Sequence, residues 1–487
     1  AALATGNTCI LKPATVAAPV AWLFAEAMWK AGVPKEALQV VITDRKSLDV
    51  LTSSPVVKHT ILTGGTDTAQ SIIRNNPEKP LSAETGGKNV MVVTASADRD
   101  HAIMNACASA FGNAGQKCSA CSLMLVEESV YNDPQFRNKL IDCASSMKVG
   151  SVWEKGNVVG PMITNENDKL LKAISTLEPG ESWLIAPRWV DEKHYILAPT
   201  IKWGVSPNSY SFRTELFGPM LSVCPVRNLE HAVELVNSLP YGLTSGLQSL
   251  DDKEQHYWRD NVQAGNLYIN RGITGAIVNR QPFGGMKLSA FGPGLKAGGP
   301  NYVAQFMEVT DRAGAVKDWR KSYRDAWGAE FSKPRDWNHC IGEQNLFRYR
   351  PLKSMGFRVF KGDKLEDIEK VLFAAKLAGV GQLTVSIDAD NSVLEGVKKL
   401  CAETGAVVKE QSEADFIADV AAYERIRTIA STLPRALWQA AADSDRFIAA
   451  LPPMNEGRLE LINYIKEQVI SFEYHRYGSM PVVPEDK

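Results

Sequence analysis

His59-Thr60-Ile61-Leu62-Thr63-Gly64-Gly65-Thr66 is a short apolar run that ends in paired glycines ahead of a helical stretch. A strand that gives way to a glycine turn and then a helix is the unit step of an open α/β sheet, whose ligands sit beyond the carboxyl ends of the strands. Backbone N–H groups at the helix start favour anions there. The motif is not GxGxxG, and taken alone it is an ordinary glycine turn. The text before it alternates in the same way: strand 9–11, helix 18–31, strand 38–42, helix 46–52 and strand 59–62. Such alternation implies a parallel sheet covered by helices.

A second α/β unit runs over 90–278, with strands expected at 90–93, 123–126 and 221–226. Residues 281–310 are rich in Gly and Pro. Residues 318–338 then mix charge with Trp319, Tyr323, Trp327 and Trp337. Basic and aromatic interleaving can serve single-stranded nucleic acid, but the preferred reading is a packed connector. After Asn345 a new alternation begins: strand 357–360, helix 366–378, strand 382–387, helix 393–404 and strand 406–408, a βαβ unit. Its first strand is followed by no glycine fingerprint, so no second nucleotide site is expected.

At 487 residues the chain is too long for one core and should hold two or three domains. Its formal charge of −1 gives no global field for nucleic acid or an anionic membrane. The eight cysteines are scattered, and the Cys118-x-x-Cys121 pair lacks a second pair or a nearby His to complete a zinc set, so no metal is expected. They read as reduced, intracellular thiols; oxidation joining Cys118 to Cys121 would silence the former. The most apolar early segment, 17–29, is broken by Glu26, is too short to span a bilayer and lacks a basic flank. Cytoplasmic residence with no transmembrane segment is the expectation. The opening residues read as the end of a helix entering a strand, which suggests a fragment without its N-terminal portion.

Chemistry concentrates in Gly115-Gln116-Lys117-Cys118-Ser119-Ala120 and Glu84-Thr85-Gly86-Gly87-Lys88-Asn89. A thiol flanked by small residues is a nucleophile when ionised, and a carboxylate among apolar neighbours can take a proton from it or from water. Gly6-Asn7-Thr8-Cys9-Ile10-Leu11-Lys12-Pro13-Ala14 places a lysine after a strand, as suits a nucleotide ribose or phosphate. Thr214-Glu215-Leu216-Phe217-Gly218-Pro219 offers a carboxylate for ribose hydroxyls and an aromatic for a flat ring.

In this order the four segments resemble the NAD(P)-dependent aldehyde dehydrogenase superfamily. Asn270-Arg271-Gly272-Ile273-Thr274-Gly275-Ala276-Ile277-Val278-Asn279-Arg280-Gln281-Pro282-Phe283-Gly284-Gly285 narrows the likeness, with Gly298-Gly299-Pro300-Asn301-Tyr302 and Asn345-Leu346-Phe347-Arg348-Tyr349-Arg350-Pro351-Leu352 in support. These are similar to the L-glutamate γ-semialdehyde dehydrogenase half of the bacterial bifunctional proline utilisation A family, in its long form. The resemblance implies a Rossmann-like NAD domain, present in part as 1–89, an α/β catalytic domain at 90–280 and a return segment and connector at 281–334. It implies a non-catalytic C-terminal βαβ domain of aldehyde-dehydrogenase-like fold at 335–487, whose tail residue His475 would pack at an interface.

It further implies oxidation of the semialdehyde to L-glutamate with NAD⁺, the second step of proline catabolism. Cys118 would form the thiohemiacetal and thioester, and Glu84 would activate water. The oxyanion would rest on the Cys118 N–H and on an Asn upstream of the Lys-Pro motif, outside this chain. Lys12 would hold the adenosine ribose with Pro13 beside it, Gly64 and Gly65 the pyrophosphate, Glu215 the nicotinamide ribose and Phe217 the nicotinamide side, with Gly86 also in contact with the cofactor. Thr15 stands where many members carry Glu, which makes the preference for NAD over NADP a moderate one. Ser119, Gly275 and Ala276 would bind the substrate's carboxylate, with Phe283 as an aromatic wall. A proline dehydrogenase domain carrying FAD, in the same parent chain, and a homo-oligomer are the partners implied. Two rivals remain at this level: a CoA-acylating relative, which commonly lacks the Glu, and a non-catalytic scaffold.

Overall fold

The computed structural model describes residues 1–474 apart from 45, 46, 313 and 431. His475 and the rest of the tail therefore lie outside the described residues, as does Lys46 at the start of the helix expected at 46–52. That helix is Leu48–Ser53. By internal contact the chain forms two compact units, Ala1–Glu84 with Phe291–Pro334 and Arg348–Glu467, and Thr85–Ala290 with Arg335–Phe347 and Gln468–Lys487.

The first unit opens with a short helical turn, Leu3–Thr5, closed by Gly6 in the left-handed region (φ 83°) before the strand Cys9–Leu11. That strand pairs in parallel with Leu38–Val40 across the helix Ala18–Lys30, which carries Pro in its first turn, where no N–H is missed. Thr60–Thr63 and Leu81–Glu84 likewise pair in parallel, with helix Thr66–Asn75 as the crossover and Ala290–Phe291 on the far side of Leu81–Glu84.

A five-stranded parallel sheet follows, built from Ser354–Val359, Gln382–Ile387, Val407–Glu410, Arg425–Thr428 and Phe447–Ala450. In space the third strand comes first, then the second, first, fourth and fifth, a doubly wound order. Its helices Leu365–Ala378 and Leu394–Thr404 stop at Gly379 and Gly405, both left-handed. Where the strand order reverses, Arg358 is buried; its guanidinium donates to Ser386 Oγ and Gln411 O, both at 2.9 Å, and pairs with Asp388.

Residues 1–84 and 348–467 group into one unit by internal contact. Gln70 Nε2 donates to Asp445 Oδ2 at 2.8 Å, and Arg425 Nη2 donates to the Pro293 carbonyl at 3.1 Å, so segments far apart in sequence share one unit. The aromatic connector becomes a helix, Trp319–Ala326, that buries Tyr323 and sets Trp319 edge-on to Phe373 at 5.4 Å between ring centres. Its aromatic residues are packing groups.

The second unit is organised by a sheet of nine strands among the described residues, in the order Glu343–Pro351, Ile465–Glu473, Asn266–Ile269, Thr244–Gln248, Asn89–Val93, Cys121–Glu127, Met220–Val226, Thr200–Trp203 and Ser182–Ile185. The central pairs are parallel, and both faces are covered. This is why Val90-Met91-Val92-Val93 is apolar throughout instead of alternating. Met91 and Val93 face one core, and Val90 and Val92 the other. Ile465–Glu473, from the far end of the chain, pairs its residues 469–472 with Asn266–Ile269. The stretch expected as a C-terminal domain thus lends strands to the sheet of the second unit.

Candidate active site

Helix Arg99–Phe111 is capped by Asp98, which accepts the His101 N–H at 3.1 Å, and runs buried to Phe111. The chain then turns through Asn113, Ala114 and Gly115, all left-handed (φ 57°, 52° and 66°). A Cβ on Gly115 would fall 2.2 Å from the Gly218 carbonyl oxygen, so only glycine lets these two segments meet. Three residues later comes Cys118, half-buried. Its carbonyl accepts from Asn89 Nδ2 at 2.7 Å, and the same amide donates to Ala120 O at 2.9 Å. Asn89 thereby pins both sides of Ser119. Cys121 is buried, and desolvation pushes its thiol up to about 12, an inert state. Neither cysteine of the pair is in a disulfide, and Cys118 is the accessible one.

Glu215 belongs to the same neighbourhood. The Gly87 N–H donates to its Oε1 at 2.8 Å, and a Cβ on Gly86 would lie 2.2 Å from its Oε2. On Gly87 a Cβ would come within 3.0 Å of the Cys118 carbonyl oxygen. The two glycines are the space that lets the carboxylate and the nucleophile loop approach one backbone. Phe217 is left-handed (φ 50°) and 41% exposed, an aromatic held outward.

Lys88, to which the sequence assigned no role, is buried, and its Nζ donates to the Ser122 carbonyl at 3.2 Å. Burial pulls its ammonium down to about 7, against the opposing pull of Cys121 and Glu215. A lysine two residues ahead of the apolar run at 90–93 was the signal available.

The loop expected to take the substrate's carboxylate is tied at its root. The Ile273 N–H donates to Ser109 Oγ at 3.0 Å, and the Ile277 N–H to Gln281 Oε1 at 3.1 Å. Ser109 lies on the helix that feeds the Cys118 loop. Gly275 is left-handed (φ 84°) with open space around it, Ala276 is exposed and Phe283 half-buried, while Ser119 is buried. Glu343 clamps the loop from outside, pairing with Arg271 at 2.9 Å and Arg280 at 2.8 Å. Sequence reading missed this clamp because its carboxylate arrives from 63 residues beyond Arg280.

The remaining expected residues lie in the other unit. Lys12 and the buried Pro13 follow the strand Cys9–Leu11, and Thr15 is exposed. Thr63 and Glu84 are register partners at the carboxyl ends of their strands, and the Gly64 N–H donates to the Glu84 carbonyl at 3.2 Å. Gly65 caps helix Thr66–Asn75 in an extended conformation, and a Cβ there would meet nothing within 4 Å. Its backbone is open to approach, the condition a phosphate requires at a helix start.

Residues 1–311 match the aldehyde dehydrogenase family. The chain belongs to that family. This aldehyde dehydrogenase is 35% identical over 319 residues to the 1-pyrroline-5-carboxylate dehydrogenase of Geobacillus thermodenitrificans, a match covering 63% of this chain and 61% of that protein. It is 35% identical over 319 residues to the enzyme of the same name from Bacillus subtilis. Among solved structures, proline utilisation A from Corynebacterium freiburgense superposes with a TM-score of 0.83 at 34% identity, covering 97% of this chain and 48% of that one. Thermus thermophilus 1-pyrroline-5-carboxylate dehydrogenase gives 0.59 at 30% identity over 62% of this chain and 60% of that one. The aldehyde dehydrogenase chain described here thus spans about 61% of the length of these relatives and 48% of the proline utilisation A chain. Its α/β fold is the family's, as the glycine turn and the strand alternation implied. No helix among the described residues is long and apolar enough to cross a membrane.

Proposed function

We propose that the chain carries out the NAD-dependent oxidation of L-glutamate γ-semialdehyde to L-glutamate in proline catabolism. The observation that carries this reading is the nucleophile loop: Cys118 is accessible, locked by Asn89, and packed with Gly86, Gly87 and Glu215 in a chain 35% identical to 1-pyrroline-5-carboxylate dehydrogenases. A related enzyme from Thermus has been solved with bound NAD. The open glycine turn and Glu215 fit that cofactor here. Lys12, Pro13, Gly64, Gly65, Gly86, Glu215 and Phe217 would hold it, and when bound it supplies a hydride acceptor.

The protein's own part begins with the Cys118 thiolate, which adds to the aldehyde carbon and forms a C–S bond. The Cys118 N–H stabilises the resulting oxyanion. Once the substrate is oxidised, the acyl group remains on sulfur as a thioester. Glu84 takes a proton from water; the water oxygen bonds to the acyl carbon, the C–S bond breaks, and thiolate and glutamate are released. Ser119 with the backbone of Gly275 and Ala276 would hold the substrate's carboxylate, beside Phe283. In the parent protein a flavin-dependent proline dehydrogenase domain would supply the semialdehyde, in a cytoplasmic homo-oligomer; that none of the eight cysteines is in a disulfide agrees with a reducing compartment.

The test is NADH and glutamate formation by the intact enzyme without CoA. Cys118→Ala is expected to abolish both. Glu84→Gln is expected to keep the first turnover of NADH while the steady-state rate falls by about 10²- to 10⁴-fold. Product formation that requires CoA, or an unimpaired Cys118→Ala variant, would overturn the reading.

A further inference from the structure

Lys296 and Glu467 lie 171 residues apart in sequence and meet in the interior of one compact unit. Lys296 is 0% exposed and Glu467 2%. Glu467 Oε2 accepts the Lys296 backbone N–H at 2.6 Å, and its Oε1 accepts from Asn301 Nδ2 at 2.6 Å. The segment that carries Lys296 leaves the strand Ala290–Phe291, a neighbour of Leu81–Glu84 in the sheet. It presses on that strand closely enough that a Cβ on Gly292 (φ 87°) would lie 1.9 Å from the Leu81 carbonyl oxygen. Just beyond, Leu295, Ala297 and Tyr302 line with Glu84 a cavity of about 70 Å³. That is space for a water or two beside polar groups. Glu84 and the residues on either side of Lys296 therefore share one small chamber.

We propose that Lys296 and Glu467 are positioning residues for Glu84: Glu467 fixes the backbone at Lys296 and balances its buried ammonium, and that ammonium holds Glu84 in the ionised, proton-accepting form. The inference rests on Glu84 being the base that directs water onto the thioester.

The surrounding charges agree. Burial pulls Lys296 down to about 8, while the Glu84 and Glu467 carboxylates push it back up. Glu467 is raised by burial, against lowering by Asn301, by the Lys296 N–H and ammonium, and by Arg458. Tyr302 is raised by burial and then by Glu84. Tyr349, which accepts from Asn301 at 3.0 Å and donates to Glu330 at 2.9 Å, is raised by burial, Glu330 and Glu467. Arg458 is itself paired with Glu330. Removing the Glu467 anion lets the ammonium lose its proton at lower pH. Near neutrality Glu84 would then face an uncharged amine and keep its own proton to higher pH.

The experiment follows kcat of the intact enzyme with semialdehyde and NAD from about pH 6 to about pH 10, together with the NADH burst. Glu467→Gln and Lys296→Met are expected to move the acid limb up by about one pH unit, a roughly tenfold lower kcat near the foot of that limb, with rates within about twofold of wild type at alkaline pH and an unchanged burst. Lys296→Arg, a permanent cation, is expected to restore the wild-type limb. A loss of equal proportion at every pH, or a profile superimposable on wild type, overturns the proposal. Should Glu467→Gln fail to fold, Lys296→Met and Lys296→Arg decide, and an acid limb common to both overturns it. A wild-type enzyme that does not oxidise the semialdehyde, or a Glu84→Gln variant with full steady-state rate, overturns the assigned function or base instead.

Discussion

Gly115 has to satisfy two demands at once: a left-handed backbone (φ 66°), and a surface with no side chain where the Gly218 carbonyl passes. An alanine there would carry a left-handed penalty of about 1–2 kcal/mol, and its Cβ, 2.2 Å from that oxygen, would force the two segments apart. Gly115→Ala is therefore expected to lower the melting temperature and, more sharply, the rate of NADH formation, since Cys118 and Glu215 sit on the segments that would separate. Thermal unfolding beside steady-state kinetics distinguishes the two effects. A variant with wild-type rate would show that the loops tolerate the displacement.

The element that matters most to the site is helix Arg99–Phe111. Its buried face anchors one core, its end delivers the Cys118 loop, and Ser109 ties it to the loop at Ile273. Its start depends on one side chain, because the Asp98 carboxylate accepts the His101 N–H and satisfies a donor that the helix leaves unpaired. Asp98→Ala is expected to cost about 1 kcal/mol. Urea denaturation should show the midpoint falling with an unchanged slope. Activity at low temperature should stay near wild type, because the cap lies at the opposite end of the helix from Cys118.

For the molecule as a whole, long-range polar clusters hold segments that the chain itself separates widely. Arg427 and Glu460 form an ion pair at 2.9 Å with side-chain exposures of 0% and 1%, and the Tyr464 hydroxyl donates to the same Glu460 oxygen at 2.6 Å. The other oxygen, Oε2, accepts the Met454 N–H at 3.0 Å. A buried charge that loses its partner costs far more than the pair contributed, about 3–5 kcal/mol. Glu460→Gln, which strands the Arg427 guanidinium, is expected to destabilise the fold by that order in equilibrium denaturation. A loss under about 1 kcal/mol would mean that the guanidinium's backbone partners suffice.

The sequence by itself determined the α/β class and the places of some strands and helices, and it singled out the residues proposed as nucleophile, base and cofactor ligands. These are local properties: apolar periodicity, glycines at strand ends, and a thiol followed by small residues are legible within a window of about ten positions. Only the tertiary structure decided which residues meet. Glu467 caps the backbone of Lys296, Glu343 clamps Arg271 and Arg280, and Ile465–Glu473 enters a sheet whose other strands lie far back along the chain. It also decided that residues 348–467 share a compact unit with residues 1–84. The physical reason is that a strand's edge carries unpaired N–H and C=O groups that any strand of fitting register can satisfy, and a buried charge takes whichever opposite charge the packing brings near. Neither choice leaves a mark in the neighbouring residues of the chain.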